Sequence, residues 1–357
     1  MWPYWIMFLL PSAMAFSELH ANFLASPKKI SGRGSFEWSV VLALLIVLIG
    51  FRDQVGGDWF NYLRTFEYDR SESLWEALTA HDPGYHFLEW VSDQLGWGFY
   101  GVNFLAAIPF SSGLVVFCRH LPRPWLALAV AVPYLVIVLG MGYSRQGIAL
   151  GFIMLGLVAL GKQRIATFVA CALLGATFHS SAILLLPMAA LAASRRKVIT
   201  VIWVGVVVAS AYVVLLQDAL DNLQFNYLAA QAQSQGALVR LLLNAVPAAL
   251  LLIWHKRLLN GAQQQRFWIW FAVAALGLLG LYFVSPSSTA VDRVALYILP
   301  LQLMVFSRVP ESFGGRRGSN ELTVGLIIVL YGAIQFVWLN YAVNAYLWLP
   351  YRFYLLG

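Results

Sequence analysis

Apolar runs long enough to cross a lipid bilayer follow one another along almost all of this 357-residue chain, and no other feature limits its fold so severely. A hydrocarbon interior offers no water to backbone N–H and C=O groups, so runs of this kind must satisfy those groups internally and are read as transmembrane helices. Composition agrees: with 61% hydrophobic and 11% charged residues, the chain cannot cover a soluble fold with polar surface. The expected fold class is all-α, a polytopic integral membrane protein of about 11–12 transmembrane or re-entrant helices. No polar linker is long enough to join two domains, so residues 1–357 are expected to form a single membrane-embedded domain.

The apolar segments lie near 2–16, 36–51, 98–117, 124–140, 146–160, 165–192, 198–216, 237–254, 267–284, 292–306 and 322–340. Basic clusters separate them: Lys28, Lys29 and Arg33; Arg119 and Arg123; Lys162 and Arg164; Arg195, Arg196 and Lys197; Lys256, Arg257 and Arg266; Arg308, Arg316 and Arg317. The positive-inside rule places all six clusters in the cytoplasm. That assignment requires 165–192, basic at both ends, to enter and leave on one side. It is therefore expected to be a hairpin of two short helices or a re-entrant element, with Thr177-Phe178-His179-Ser180-Ser181 at its outer tip. Both termini then lie outside, and so do 12 of the 16 acidic residues, while the cytoplasmic face takes 16 of the 23 basic residues and every lysine. The net charge of +7 belongs to orientation and does not point to nucleic acid. No A-x-A-like cleavage site follows the first apolar run, so Met1–Phe16 is expected to stay as a membrane segment bent at Pro11. Cys118 and Cys171 fall in apolar runs and read as packing residues rather than a disulfide.

Polarity concentrates in one interval, 51–97, expected to be an external loop. It carries nine acids (Asp53, Asp58, Glu67, Asp69, Glu72, Glu76, Asp82, Glu89, Asp93) and three arginines (Arg52, Arg64, Arg70), interleaved with aromatics such as Trp59, Phe60, Tyr62, Tyr85 and Trp90. Aromatic faces pack on the C–H faces of sugars and carboxylates accept hydroxyl hydrogen bonds, so this interval suits a polar ligand held at the membrane surface. The basic residues expected outside are all arginines, and three of them, Arg145, Arg240 and Arg293, interrupt or border apolar helices. Such a residue must be paired, snorkelling or lining a wet cavity. Arginine also suits bidentate recognition of a phosphate or diphosphate.

Other candidates are sparser. His179 is either a histidine satisfied by a neighbouring carbonyl or a proton acceptor beside an anionic leaving group. Metal ligation is the weaker reading, since no second histidine stands at i+3 or i+4. Asp58 follows Gly56-Gly57, where the backbone can turn tightly. His81-Asp82-Pro83-Gly84-Tyr85 reads as a turn leading into an amphipathic helix with Phe87, Leu88, Val91 and Leu95 as its apolar positions. Asp82 suits a cap there, and Glu89 and Asp93 a solvated face. No Walker loop, dinucleotide fingerprint, zinc signature or nucleophile elbow occurs.

In order along the chain, Phe51-Arg52, Gly56-Gly57-Asp58 and Tyr62, Asp82-Pro83-Gly84-Tyr85, Ser144-Arg145-Gln146, Phe178-His179-Ser180-Ser181 and Trp348-Leu349-Pro350-Tyr351-Arg352 together resemble the EpsG family of Wzy-like polysaccharide polymerases. Asp82 departs from the glutamate often found before Pro-Gly in that family; aspartate keeps the charge and shortens the reach. The resemblance implies a glycosyltransferase-C-like architecture in the bacterial cytoplasmic membrane, multi-pass, with its active site facing the periplasm or exterior. It implies transfer of a growing glycan from undecaprenyl diphosphate onto another lipid-linked repeat unit, without nucleotide sugars, metal or other cofactor. The implied partners are the lipid-linked donor and acceptor and membrane lipid, with a chain-length regulator and a flippase as further candidates.

That reaction needs a base for the acceptor hydroxyl, and His179 and Asp58 are the candidates. If both face one cavity, His179 takes the proton and Asp58 orients the acceptor or supports developing charge. Arg52, Arg145, Arg240, Arg293, Tyr62, Asp82, Tyr85 and Gln146 are the expected substrate contacts, with Arg145, Arg240 and Arg293 lining one cavity for the diphosphate. A polysaccharide or O-antigen ligase would use the same donor. A flippase or other transporter would instead distribute charge through the membrane interior and show an internal repeat. An intramembrane serine protease would need Ser144 deep in a helix beside His179.

Overall fold

A computed structural model describes residues 1–24, 35–68, 73–188, 197–211, 234, 236–259, 267–313 and 317–356. Lys28, Lys29, Arg33, Asp69, Arg70, Glu72, Arg195, Arg196, Arg266, Arg316, Gly357 and the far end of the 165–192 segment lie outside the described residues. The chain is helical nearly throughout: α1 Trp2–Leu24, α2 Ser35–Gly50, α3 Trp59–Tyr68, α4 Leu74–Thr79, α5 Pro83–Gln94, α6 Gly98–Arg119 and α7 Pro124–Ala131. A π-helix, Val132–Gly140, continues α7 and leads to α8 Ser144–Gly161 and α9 Ile165–Ala176. A 3-10 helix, Ser180–Leu185, follows, then α10 Lys197–Ala211, α11 Ala237–Leu258, α12 Phe267–Tyr282, α13 Ser288–Ala295, α14 Pro300–Phe306, α15 Val309–Phe313 and α16 Arg317–Tyr341. The sole sheet among the described residues is a two-residue antiparallel ladder of β1 Arg52–Asp53 with β2 Arg352–Phe353.

The fold is that of an all-α, multi-pass membrane protein. Four helices among the described residues are long and apolar enough to cross a bilayer: Gly98–Arg119, Ser144–Gly161, Ala237–Leu258 and Asn320–Tyr341. Ser288–Ile298 with Pro300–Phe313, bent by 43°, makes a fifth when counted as one span. Phe36–Gly50, Pro124–Gly140, Ile165–Ala176 and Phe267–Tyr282 are apolar but shorter. This measure gives fewer spans than the 11–12 expected because several apolar runs are interrupted or shortened. The 124–140 run changes from α to π geometry at Val132, and 165–192 breaks at Thr177–His179, where its tip was expected. Outward faces are apolar as lipid contact requires, with Val198, Ile199 and Ile202 of α10 and Leu322, Leu326 and Val329 of α16 all exposed.

The 51–97 interval is built mainly of helices rather than open loop. Ser73 and Glu76 close a capping box on α4. The expected amphipathic helix exists as α5, but its polar side is turned inward. Tyr85, Glu89 and Ser92 are buried, whereas Phe87 and Leu95 are exposed. Glu89 is 1% exposed, which corrects its placement on a solvated face.

The helices assemble into two compact units. The first comprises Met1–Glu72, Leu88–Ile148 and Phe306–Gly357; the second comprises Ser73–Phe87 and Ala149–Val305. In the first, α2 and α6 cross so closely that a Cβ on Gly50 would stand 2.8 Å from the Phe104 Cα, and Trp38 stacks on Trp125 with centroids 4.3 Å apart. In the second, Leu241, Val291 and Ala295 form a buried cluster against Leu278, Leu279 and Tyr282, binding α11, α12 and α13 together.

Candidate active site

Three stretches far apart in sequence meet in the first unit: 51–58, 140–146 and 347–354. The β1–β2 ladder pairs Arg52 with Phe353 and Asp53 with Arg352, and Tyr354 N donates to Phe51 O at 2.8 Å. Gly56 N donates to Leu347 O and Asp58 N to Gly142 O, at 2.9 and 3.2 Å. Gly56 holds φ +120°, and a Cβ there would fall 2.1 Å from Met141 O, so the glycine is required by conformation and by space. Asp58 then starts α3, its carbonyl accepting from Tyr62 N.

Arg52 is 1% exposed. Its Nε donates to Val55 O, Nη1 to Ile49 O and Nη2 to the Ser144 hydroxyl, at 3.1, 2.6 and 2.8 Å. These bonds tie Arg52 to the backbone of the site. Ser144, which Arg52 engages, opens α8, and Arg145 beside it lies over the Tyr62 ring, 5.5 Å from the centroid. Two expected contacts are thereby brought together in a cation–π pair. Gln146, one residue on, is 1% exposed. The Tyr351 phenol donates to Leu48 O at 2.7 Å; burial pushes its ionisation above the ordinary range, and nearby Arg52 opposes that shift.

The second unit holds the other motifs. The Asp82-Pro83-Gly84 turn docks on the segment carrying His179: Gly84 N donates to Thr177 O at 2.8 Å, and a Cβ on Gly84 would meet Thr177 Oγ1 at 2.6 Å. Asp82 adopts a left-handed φ of +56°, and its carbonyl accepts the first helical bonds of α5 from Tyr85 N and His86 N. Tyr85 is fully buried. His179 sits in extended conformation just before the 3-10 helix, its Nδ1 2.7 Å from Ser181 Oγ, and Ser181 donates to the Tyr297 hydroxyl at 3.2 Å. The Tyr297 hydroxyl also lies within electrostatic reach of Asp82 and Arg293. His179, Ser181 and Tyr297 thus form one hydrogen-bonded group. Among the described residues no three His, Cys, Asp or Glu side chains gather where they could hold a metal ion.

Arg240 is held by partners within its own chain. Its Nε and Nη2 grip the two Asp292 carboxylate oxygens at 2.6 Å each, and Nη2 also donates to Ser234 Oγ at 2.7 Å. The planar fork expected to hold diphosphate is therefore filled by a carboxylate of the same chain. One turn along α11, Asn244 donates to Ala295 O and accepts from Gln302 Nε2, both at 2.9 Å. The sequence reading missed Asp292, Ser234, Tyr297 and this amide pair; a charge at Asp292 beside Arg293 at the edge of an apolar run was the available signal. Asp292→Asn removes the charge but not the shape, and is expected to lower stability by about 1.5–3 kcal/mol, the worth of hydrogen bonds to a charged group. Thermal unfolding of the detergent-solubilised protein reads that loss, and an unchanged midpoint would show that Asp292 does not anchor Arg240.

A comparison with curated proteins and one with solved structures each return no match. The sequence profile of the EpsG family does match, over residues 36–353, a span that includes every motif laid out above. This chain belongs to the EpsG family.

Proposed function

We propose that the chain is a polysaccharide polymerase of the bacterial cytoplasmic membrane, transferring a growing glycan from undecaprenyl diphosphate onto a second lipid-linked repeat unit at the outer face. The product class is an exopolysaccharide, capsule or O-antigen. Family membership supports the reaction class, and the observation that carries the chemistry is the His179–Ser181–Tyr297 relay beside Asp82 and Arg293. In this reading the acceptor hydroxyl passes its proton to His179 Nε2 as its oxygen bonds the anomeric carbon. The bond from that carbon to the diphosphate oxygen breaks, and the diphosphate leaves as an anion. Ser181 holds the imidazole, and the Tyr297 phenol extends the relay. Arg293, in the same unit as His179, neutralises the leaving diphosphate, so the step needs no separate acid. Arg240 contributes only by exchanging Asp292 for phosphate. Asp58 and Tyr62 in the first unit, and Asp82 in the second, are the proposed glycan contacts. A chain-length regulator and a flippase remain proposed partners.

Cells lacking this chain are expected to accumulate the lipid carrier bearing single repeat units on the outer side. Restoring the wild-type protein should return long glycan. Mass analysis of extracted lipid-linked sugars, with and without surface labelling, gives the result. Trapping of the units on the inner side would make the protein a flippase instead.

A further inference from the structure

A second polar and aromatic cluster in the first unit is not used by the chemistry above. The Tyr100 and Tyr354 rings stack with centroids 3.7 Å apart and planes inclined by 18°. The Tyr100 hydroxyl donates to Asp53 Oδ1 at 2.7 Å, which fixes the inner ring of the pair. Across the short ladder Asp53 faces Arg352, whose Nη1 donates to Gln54 Oε1 at 2.8 Å. Gln54 holds a left-handed φ of +52°, a conformation that costs a non-glycine residue energy and recurs where side chains must be aimed. The outer ring is the exposed one: Tyr354 is 49% exposed, whereas Trp59, which packs 6.4 Å from Tyr100, is 4% exposed.

Packing alone does not account for this arrangement. A tyrosine that served only to fasten the C-terminus would be covered, and the ladder with the Tyr354 N–Phe51 O bond already fastens that segment. A tyrosine of the interfacial belt would anchor at the headgroups without a rim of carboxylate, guanidinium and amide. Here a rigid ring face is bordered by an acceptor with remaining lone pairs, a donor fork and an amide. That is the chemistry of a pyranose, whose C–H face lies on an aromatic ring while its hydroxyls reach polar groups at the rim.

We propose that Tyr354, backed by Tyr100 and rimmed by Asp53, Gln54 and Arg352, is a glycan subsite that takes one sugar ring of the growing polymer. It rests on the polymerase reading for the identity of the glycan. It is a separate site in the sense that it recognises sugar alone, with no need for diphosphate or lipid.

The experiment uses full-length protein in detergent and, as probe, soluble oligosaccharides released from the native polymer, free of lipid and phosphate. Binding is read by saturation-transfer NMR and titration. Tyr354→Ala is expected to weaken binding roughly tenfold, the loss of one aromatic stacking contact. Tyr354→Phe, which keeps the ring, is expected to retain most of the affinity. In cells, Tyr354→Ala should shift the polymer to shorter chains. Equal binding by Tyr354→Ala and wild type overturns the subsite, as does a Phe variant no better than Ala, or no binding by the wild type. A change confined to membrane anchoring identifies belt residues and overturns it too. The polymerase reading fails by a different result, normal glycan in cells lacking the chain.

Discussion

On the proposed polymerase function, His179→Ala is expected to lower polymerisation about 100–10,000-fold, the usual worth of a general base, with the protein still folded and membrane-inserted. The expectation rests on the geometry of the second unit. His179 stands at a helix break, its Nδ1 held by Ser181, which is held in turn by the buried Tyr297. An imidazole positioned through one nitrogen presents the other in a fixed direction, and its ordinary pKa suits proton capture near neutral pH. Tyr297→Phe removes the far end of the relay without changing the ring. Its expected loss is smaller than that of His179→Ala, because Ser181 still meets the histidine. The measurement is product length from lipid-linked repeat units in membrane vesicles at matched protein level, together with binding of those units. Retained binding with lost joining supports the base. Normal joining by His179→Ala alongside failure of Asp58→Asn moves the base to the acidic interval, and normal joining by both removes this account of the chemistry.

Helical membrane architecture was legible in the sequence because it depends on apolar length, a property each segment carries by itself. The helix interruption at Thr177–His179 falls where the tip of 165–192 was expected. Pairings between distant segments were not legible. Arg240 and Asp292 are 52 residues apart, and nothing local to Arg240 distinguishes a guanidinium that binds phosphate from one that binds a carboxylate. The inward polar face of α5 was hidden for a physical reason: amphipathicity gives the two faces of a helix but not which one meets lipid. Gly56 and Gly57 did announce a tight turn, and that turn exists. What requires it is the backbone of Met141 and the ring of Trp348, and neither can be read from the glycines.

Trp348 is the residue through which the first unit's site is held together, and its loss should show as instability. It is 2% exposed and its Nε1 donates at 2.8 Å to Ile137 O within the π-helix, where i→i+5 bonding departs from the regular α-helical ladder. Its carbonyl receives the Tyr4 hydroxyl at 2.6 Å, and its ring meets Trp338 edge-on at 5.0 Å. The same indole covers Gly57 and Gly142: a Cβ on Gly142 would stand 2.5 Å from Trp348 Cζ2, and one on Gly57 3.2 Å from Cη2. Trp348→Ala therefore opens a cavity beneath both the Asp58 turn and the approach to Arg145, and is expected to cost about 3–5 kcal/mol. Gly142→Ala is expected to be destabilising too, because the ring it strikes is pinned by the Ile137 bond and cannot swing aside. In the double variant Trp348→Phe with Gly142→Ala, the smaller ring leaves room for the new methyl group. The combined loss should then be less than the sum of the single losses, by about 0.5–3 kcal/mol of coupling. Thermal or denaturant unfolding in detergent, run on the wild type, Trp348→Phe, Gly142→Ala and the double variant, measures that coupling. Strict additivity would mean that the indole does not press on Gly142, and that the Asp58 turn and the Arg145 helix are positioned by something other than Trp348.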